Sequence, residues 1–353
     1  MHIEKYIKPE VLRLKGYHLD KRDYTFKLDQ NENPFGFPEA LKEKFWERLK
    51  NLDWARYQDF QMEGITAKIA NYLQLPPSQV IVGNGSNSLI QALLMVALAP
   101  GDRLIIPEPT FTLYGLTGKM LNAEVITCRL HPEDFSLPLP EILQAAAAAN
   151  TKMLVLCTPN NPTGNSFPLP QLEALVQGFP GLVVIDEAYQ EFSRQDAKTL
   201  LRAHENVVIL RTFSKAMSLA GMRIGYLLAA PEICAEVQKA RLPYSVSFFS
   251  ETAAIVALEE IELLKASVRE ILAERDRLWT ALQEISSLRI YPSDANFFLV
   301  RCANSTALFQ HLLQDGLLVR DVSGYPGLEN CLRISIGRPE ENEKLLESLK
   351  KWK

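Results

Sequence analysis

From about residue 80 to residue 229 the chain alternates short β-branched runs with helical patterns, and this constrains its fold more than any other feature. The runs lie at 80–82, 104–106, 125–128, 153–157, 183–185, 207–210 and 224–228. Between them lie segments of helical spacing such as 86–98, closed by Pro100-Gly101, and 169–177, closed near Gly178. Runs this short and apolar suit strands buried on both faces, and helices between them supply the cover that a mostly parallel sheet requires. The reading is therefore α/β: a large domain built on a mostly parallel seven-stranded sheet flanked by helices.

After residue 250 the pattern changes. Residues 251–286 read as one long helical stretch, kinked or broken once. Strand-like 295–301, helix 306–314, strands 317–321 and 331–336, and a closing helix from about Pro339 follow. That is a smaller α+β domain. With 353 residues the chain suits two domains. We expect an N-terminal segment, 1–40, packed with the small domain, then a large domain over 41–245 and a small domain over 246–353. The boundary is expected between Arg241 and Ser250.

Several function classes are disfavoured. A net charge of −4 gives no basic face for nucleic acid or an anionic membrane. The N-terminus has no apolar core of the signal-peptide kind, and no run approaches the roughly 18 apolar residues of a membrane span. The five cysteines (Cys128, Cys157, Cys234, Cys302, Cys331) are scattered, as are the histidines, so free thiols in a reducing cytoplasm are expected and a metal site is not.

In open α/β sheets, ligands bind beyond the carboxyl ends of the strands. There this chain places Gly83-Asn84-Gly85-Ser86-Asn87, then Pro107 to Phe111, Asn161-Pro162-Thr163-Gly164, Asp186-Glu187-Ala188-Tyr189, and Ser214-Lys215 with Arg223 eight residues on. Each alone has a plain structural reading: a turn before a helix, a helix N-cap, a solvated lysine. Together they match the parts of one molecule. Pyridoxal phosphate needs an amine for its aldehyde, a carboxylate for its ring nitrogen, donors for its ring oxygen, an aromatic face and a dianion site. Turn amides at a helix N-terminus, with a serine and an arginine, suit the last of these.

These segments resemble the fold-type I, class II pyridoxal-phosphate-dependent aminotransferases, and among them the histidinol-phosphate aminotransferases most closely. The stretch from Leu28 to Gly36, the pair Arg56-Tyr57, and the tail Arg320-Asp321 with Cys331 to Gly337 extend the resemblance over essentially the whole chain. It implies that Lys215 holds the cofactor covalently and moves the substrate proton, that Asp186 pairs with the ring nitrogen, and that Asn161 and Tyr189 bond the ring oxygen. Phe111 would stack on the ring, in a place often held by Tyr. Gly85, Ser86, Asn87, Ser214 and Arg223 would hold the phosphate, joined by Tyr57 from a partner subunit in a homodimer with shared active sites. Arg333, Arg320 and Asn33 would bind substrate. Where the family commonly has an acidic pair after the Gly-Ser turn, this chain has Asn87-Ser88. Because that turn binds through backbone N–H groups, the change is expected to spare phosphate binding.

The implied reaction is amino transfer between histidinol phosphate and 2-oxoglutarate in histidine biosynthesis, by a ping-pong route through pyridoxamine phosphate. Histidinol phosphate carries a phosphate and no α-carboxylate, whereas glutamate carries two carboxylates, so one site must accept both kinds of anion. Two arginines on neighbouring strands would do so. The competing readings are an aromatic amino-acid aminotransferase, a phospho-amino-acid decarboxylase and a cofactor-binding regulator without turnover. Tyr17, His18 and Tyr325 are candidates for reading the imidazole ring, each with a structural role as the alternative.

Overall fold

The computed structural model describes residues 5–14, 16 and 21–352. The first part of the chain carries α1 (Pro9–Leu12), β1 (Phe26–Lys27), α2 (Glu39–Leu49) and α3 (Glu63–Leu73). The expected alternation then appears as β2 (Val80–Gly83), α4 (Gly85–Ala97), β3 (Arg103–Glu108), α5 (Leu113–Met120), β4 (Glu124–Arg129), α6 (Leu139–Ala146) and β5 (Thr151–Cys157). It continues through α7 (Leu169–Gly178), β6 (Leu182–Asp186), β7 (Val207–Thr212), β8 (Gly225–Leu228) and α8 (Pro231–Ala240).

All seven expected strands share one sheet, in the order β2-β8-β7-β6-β5-β3-β4. Six of them run in one direction, and only β8 opposes them, antiparallel to both of its neighbours, β2 and β7. Central β7 is buried at every position, and edge strand β4 is mostly exposed or half-buried. That contrast explains why the central strands read as unbroken apolar runs: helices cover both of their faces. Parallel order also brings the carboxyl ends of β3, β5, β6 and β7 to one edge of the sheet.

Beyond α8 come α9 (Phe248–Glu259), α10 (Ile261–Leu282), β9 (Arg289–Ile290), β10 (Phe297–Arg301), α11 (Ser305–Gln314), β11 (Leu317–Leu318), β12 (Arg320–Asp321), β13 (Cys331–Ser335) and α12 (Pro339–Lys351). A four-stranded antiparallel sheet, β12-β13-β10-β9, is the frame of this region.

The helical stretch over 251–286 is broken once, as expected, at Glu260, and its first half, α9, packs on α2 and α3 and joins the core cluster that they line. Within α10, Leu264 belongs to the same cluster as α9, while Val268 belongs to a second cluster; the first cluster also takes Leu299, Val322 and Cys331. Both halves are apolar on helical spacing, so periodicity could not reveal which core each one faces. Residues 317–321 are two strands in two sheets rather than one: β11 pairs in parallel with β1, and β12 pairs with β13. In the N-terminal segment β1 pairs with β11, whereas α1 lies against α5, with Lys8 Nζ donating to the Met120 carbonyl at 3.4 Å.

Behind the sheet edge, Arg211 of β7 donates to Glu187 through Nε at 3.0 Å and Nη2 at 2.7 Å, and to Asp196 at 2.6 Å. Arg211 and Glu187 are both buried. A buried pair of this kind adds little over apolar packing, but loss of one partner strands the other charge. Arg211→Leu is therefore expected to lower unfolding free energy by about 3–5 kcal/mol, read from urea denaturation at pH 7. A loss within experimental error would show that Glu187 is not buried as a charge.

Candidate active site

Four strand ends and the N-terminal segment enclose a cavity of about 430 Å³. Its walls include Ser86, Asn87, Phe111, Asn161, Asp186, Tyr189, Ser214, Lys215, Arg223, Arg320 and Arg333. Nearly all the residues singled out in the sequence thus meet in one place, although they span more than two hundred positions. The ionisable lining is lopsided: Lys215, Arg223, Arg320 and Arg333 oppose Asp29 and Asp186. A basic interior in an acidic protein selects anions locally.

Asp186 closes β6 and is 3% exposed. Its described partners are neutral donors, the Tyr114 hydroxyl at 2.7 Å on Oδ2 and the Ala188 amide at 3.1 Å on Oδ1. Burial pushes its carboxyl up to about 6, against the pull of the Tyr114 hydroxyl. A buried carboxylate held by neutral donors has room for a cationic partner such as a protonated ring nitrogen. Lys215 follows β7, and its Nζ donates to the Gln30 carbonyl at 2.7 Å. Burial first, and then the Arg333 charge, bring its ammonium down to about 7. An ordinary lysine is charged at neutral pH, whereas enclosure shifts this one toward the free amine.

The anion cradle is built from backbone. Gly85 begins α4 at φ +70°, and a Cβ there would stand 2.7 Å from Arg223 Nη2. Gly225 on β8 is equally constrained, since its Cβ would meet the Ser86 amide nitrogen at 2.5 Å. Two glycines therefore let the helix N-terminus, Arg223 and strand β8 crowd together. Arg223 Nη1 donates to Ser214 Oγ at 3.3 Å, and Thr212 Oγ1 lies 3.0 Å from the same oxygen. Amides, hydroxyls and a guanidinium at a helix N-terminus suit a phosphate dianion.

Arg333 joins the two domains. Its Nη1 donates to Asn161 Oδ1 and its Nη2 to the Asp29 carbonyl, both at 2.5 Å, and the guanidinium lies 5.4 Å over the Phe297 ring. The β12–β13 register sets Arg320 directly opposite Arg333. Tyr189 accepts a hydrogen bond from Asn31 Nδ2 at 3.0 Å, and its phenol is raised by burial.

Two expected site residues stand apart from this group. Asn33 does not line the cavity: its Nδ2 donates to the Ala216 carbonyl at 3.1 Å and Ser267 Oγ at 3.0 Å, and its Oδ1 accepts from the Phe35 amide. With its amide committed, Asn33 ties the N-terminal segment to the turn behind Lys215. Tyr57 is 80% exposed and stacks on Tyr244 at 4.5 Å, outside the cavity of its own chain. Tyr325 lines the cavity, while Tyr17 and His18 lie outside the described residues.

Sequence reasoning missed Tyr114, Asp29, Gln30, Leu113, Leu116 and Val322, all on the cavity wall. Tyr114 stands three residues after Phe111, a helical spacing that could have flagged it. Gln30 contributes through its backbone carbonyl, which no side-chain motif reveals.

The lowered ammonium of Lys215 has a direct consequence. In the protein free of ligand, the rate at which an amine reagent modifies Lys215, followed by peptide mapping, should rise to half its maximum near pH 7. Removing the Arg333 charge with Arg333→Met should move that midpoint upward. A midpoint near the usual lysine value of about 10.4 would contradict the enclosed amine.

Comparison with known proteins accords with this geometry. The family model described as aminotransferase class I and II matches residues 24–349. The histidinol-phosphate aminotransferase of Chlorobaculum tepidum is 40% identical, over 98% of this chain and 99% of that protein. That of Chlorobaculum parvum is 38% identical, over 98% and 97%. Among solved structures, histidinol-phosphate aminotransferase from Sinorhizobium meliloti, in complex with pyridoxal-5'-phosphate, superposes with a TM-score of 0.88 at 24% identity, covering 99% of this chain and 98% of that one. At that identity the likeness speaks for the fold alone. Coverage of the chain by the family model, with a buried carboxylate and a depressed lysine at adjoining strand ends, makes this protein a pyridoxal-phosphate-dependent member of the class I and II aminotransferases.

Proposed function

We propose that the chain transfers the amino group between histidinol phosphate and 2-oxoglutarate, a step of histidine biosynthesis. The observation that carries this reading is Arg320 set opposite Arg333 in the β12–β13 register, both on the wall of the cavity that holds Lys215. Two guanidinium forks can take the phosphate of one substrate and a carboxylate of the other in turn. The names of the relatives at 40% and 38% identity over nearly the whole chain support the same assignment.

In this reading Gly85, Ser86, Asn87, Ser214 and Arg223 hold the cofactor phosphate, Asn161 and Tyr189 its ring oxygen, Asp186 its ring nitrogen, and Phe111 one ring face. When bound, pyridoxal phosphate supplies an electron sink for the carbon that gives up its proton. The chain supplies the rest. Lys215 Nζ, its ammonium brought down by burial, takes up the proton of the substrate carbon and returns one. Arg333, held by Asn161 and the Asp29 carbonyl, fixes the substrate anion and so orients that carbon. Leu113, Leu116, Val322 and Tyr325 form the less polar wall on the substrate side.

The active unit is a homodimer of cytoplasmic location. Tyr57 and Phe60 both meet the Tyr244 ring, and all three are exposed, as is Leu242 two residues before Tyr244, at 72%. Apolar and aromatic surface of this kind marks a contact site, and a partner's Tyr57 would complete the phosphate site there. Among the described residues no helix is long and apolar enough to cross a membrane.

Histidinol phosphate added to the purified, cofactor-loaded protein without a second substrate should change the cofactor absorbance, and 2-oxoglutarate should restore it. If phenylalanine or tyrosine does this efficiently and histidinol phosphate does not, an aromatic substrate is the right reading. Arg333→Ala should slow both half-reactions by roughly tenfold to a thousandfold, because it removes a charged hydrogen-bonding group from a buried site; an effect on one half-reaction alone would refute a shared anion site. Sedimentation should give a particle of about twice 39.8 kDa, and Leu242→Asp should shift it toward the monomer.

A further inference from the structure

We propose that Tyr114 is a positioning residue for the cofactor, its hydroxyl holding the Asp186 carboxylate ionised and in one orientation so that a protonated ring nitrogen finds an anion in place. The phenol is fully buried near the start of α5, and its oxygen lies 2.7 Å from Asp186 Oδ2. Its ring meets Phe111 edge-on, with centroids 5.6 Å apart and planes at 82°. One short stretch of chain, 111–114, thus carries both an aromatic wall of the cavity and the support of its carboxylate.

The need for this support follows from burial. An enclosed carboxylate without a cation beside it tends to take up a proton, and a neutral acid cannot pair with a ring cation. Hydrogen bonds to the charged form oppose that tendency, and a phenol is a stronger donor to a carboxylate than an amide. The other ionisable groups facing Asp186 offer no substitute. Glu187 and Tyr189 continue the same turn, and the Glu187 charge works against ionisation. Cys157 on β5 has its Sγ 3.2 Å from the Pro159 carbonyl. Burial and the neighbouring carboxylate keep the Tyr114 phenol protonated well above its usual range, so it stays a donor at every working pH.

The test is a double-mutant cycle in which the dissociation constant of pyridoxal phosphate, measured on the apoproteins by equilibrium dialysis, is the readout. Tyr114→Phe, which removes one oxygen and no carbon, should weaken cofactor binding by about tenfold. In the Asp186→Asn background the same change should matter less than about twofold, because the group it supports is gone. The pH below which the cofactor is released should also be higher in Tyr114→Phe than in the parent, since its carboxyl protonates more readily. Equal losses in both backgrounds would mean that Tyr114 shapes the site in general, and no loss in the parent background would mean that it does nothing for Asp186; either result overturns the proposal. Tyr114→Met, which also lacks the hydroxyl, gives the same reading should the first variant fail to fold.

Discussion

A carboxylate taken out of water at the end of a central strand has a cost that the surrounding structure must offset, and the site is arranged around that constraint. Asp186 sits where β6 leaves the sheet, between β5 and β7, so apolar strands wall it on both sides. Two neutral donors hold it, and among the described residues it has no salt bridge. The same enclosure that raises the Asp186 carboxyl lowers the Lys215 ammonium, because low polarity penalises either charged form. A single physical cause thus shifts the carboxyl and the amine in opposite directions, each toward its neutral form.

Arg333 supplies the second organising contact. It belongs to the small-domain sheet, yet it bonds Asn161 after β5 and the Asp29 carbonyl of the N-terminal segment. A wall of the cavity is therefore also the contact that joins the parts of the molecule. Asn33 extends the joint on the far side of Lys215, bonding the Ala216 carbonyl and Ser267 of α10. Its place in the motif from Leu28 to Gly36 reflects this structural task, although the sequence suggested contact with substrate.

The large-domain sheet was legible because each of its strands is buried on both faces and reads as a short apolar run. So was most of the cavity, because turn residues, a lysine and a carboxylate recur at strand ends, where parallel order must gather them. The small domain was less so. The stretch 317–321 reads as one strand, but Val319 separates two pairs whose partners, Phe26–Lys27 and Arg333–Leu332, lie in different sheets. Nothing local distinguishes those partners. The helical run after residue 250 hid where each half packs for the same reason, since α9 and α10 are both apolar on helical spacing.

The sequence by itself determined the alternation, the cofactor chemistry and the residue types at each strand end, because these depend on periodicity and on side-chain functional groups. Tertiary structure alone decided how those groups behave. Tyr114 becomes the partner of Asp186, a backbone carbonyl of Gln30 becomes the acceptor for Lys215, and Arg320 comes to face Arg333. Proton affinity and anion selectivity depend on burial and on distances between residues far apart in the chain, and those distances exist only once the sheet edge has closed into a cavity.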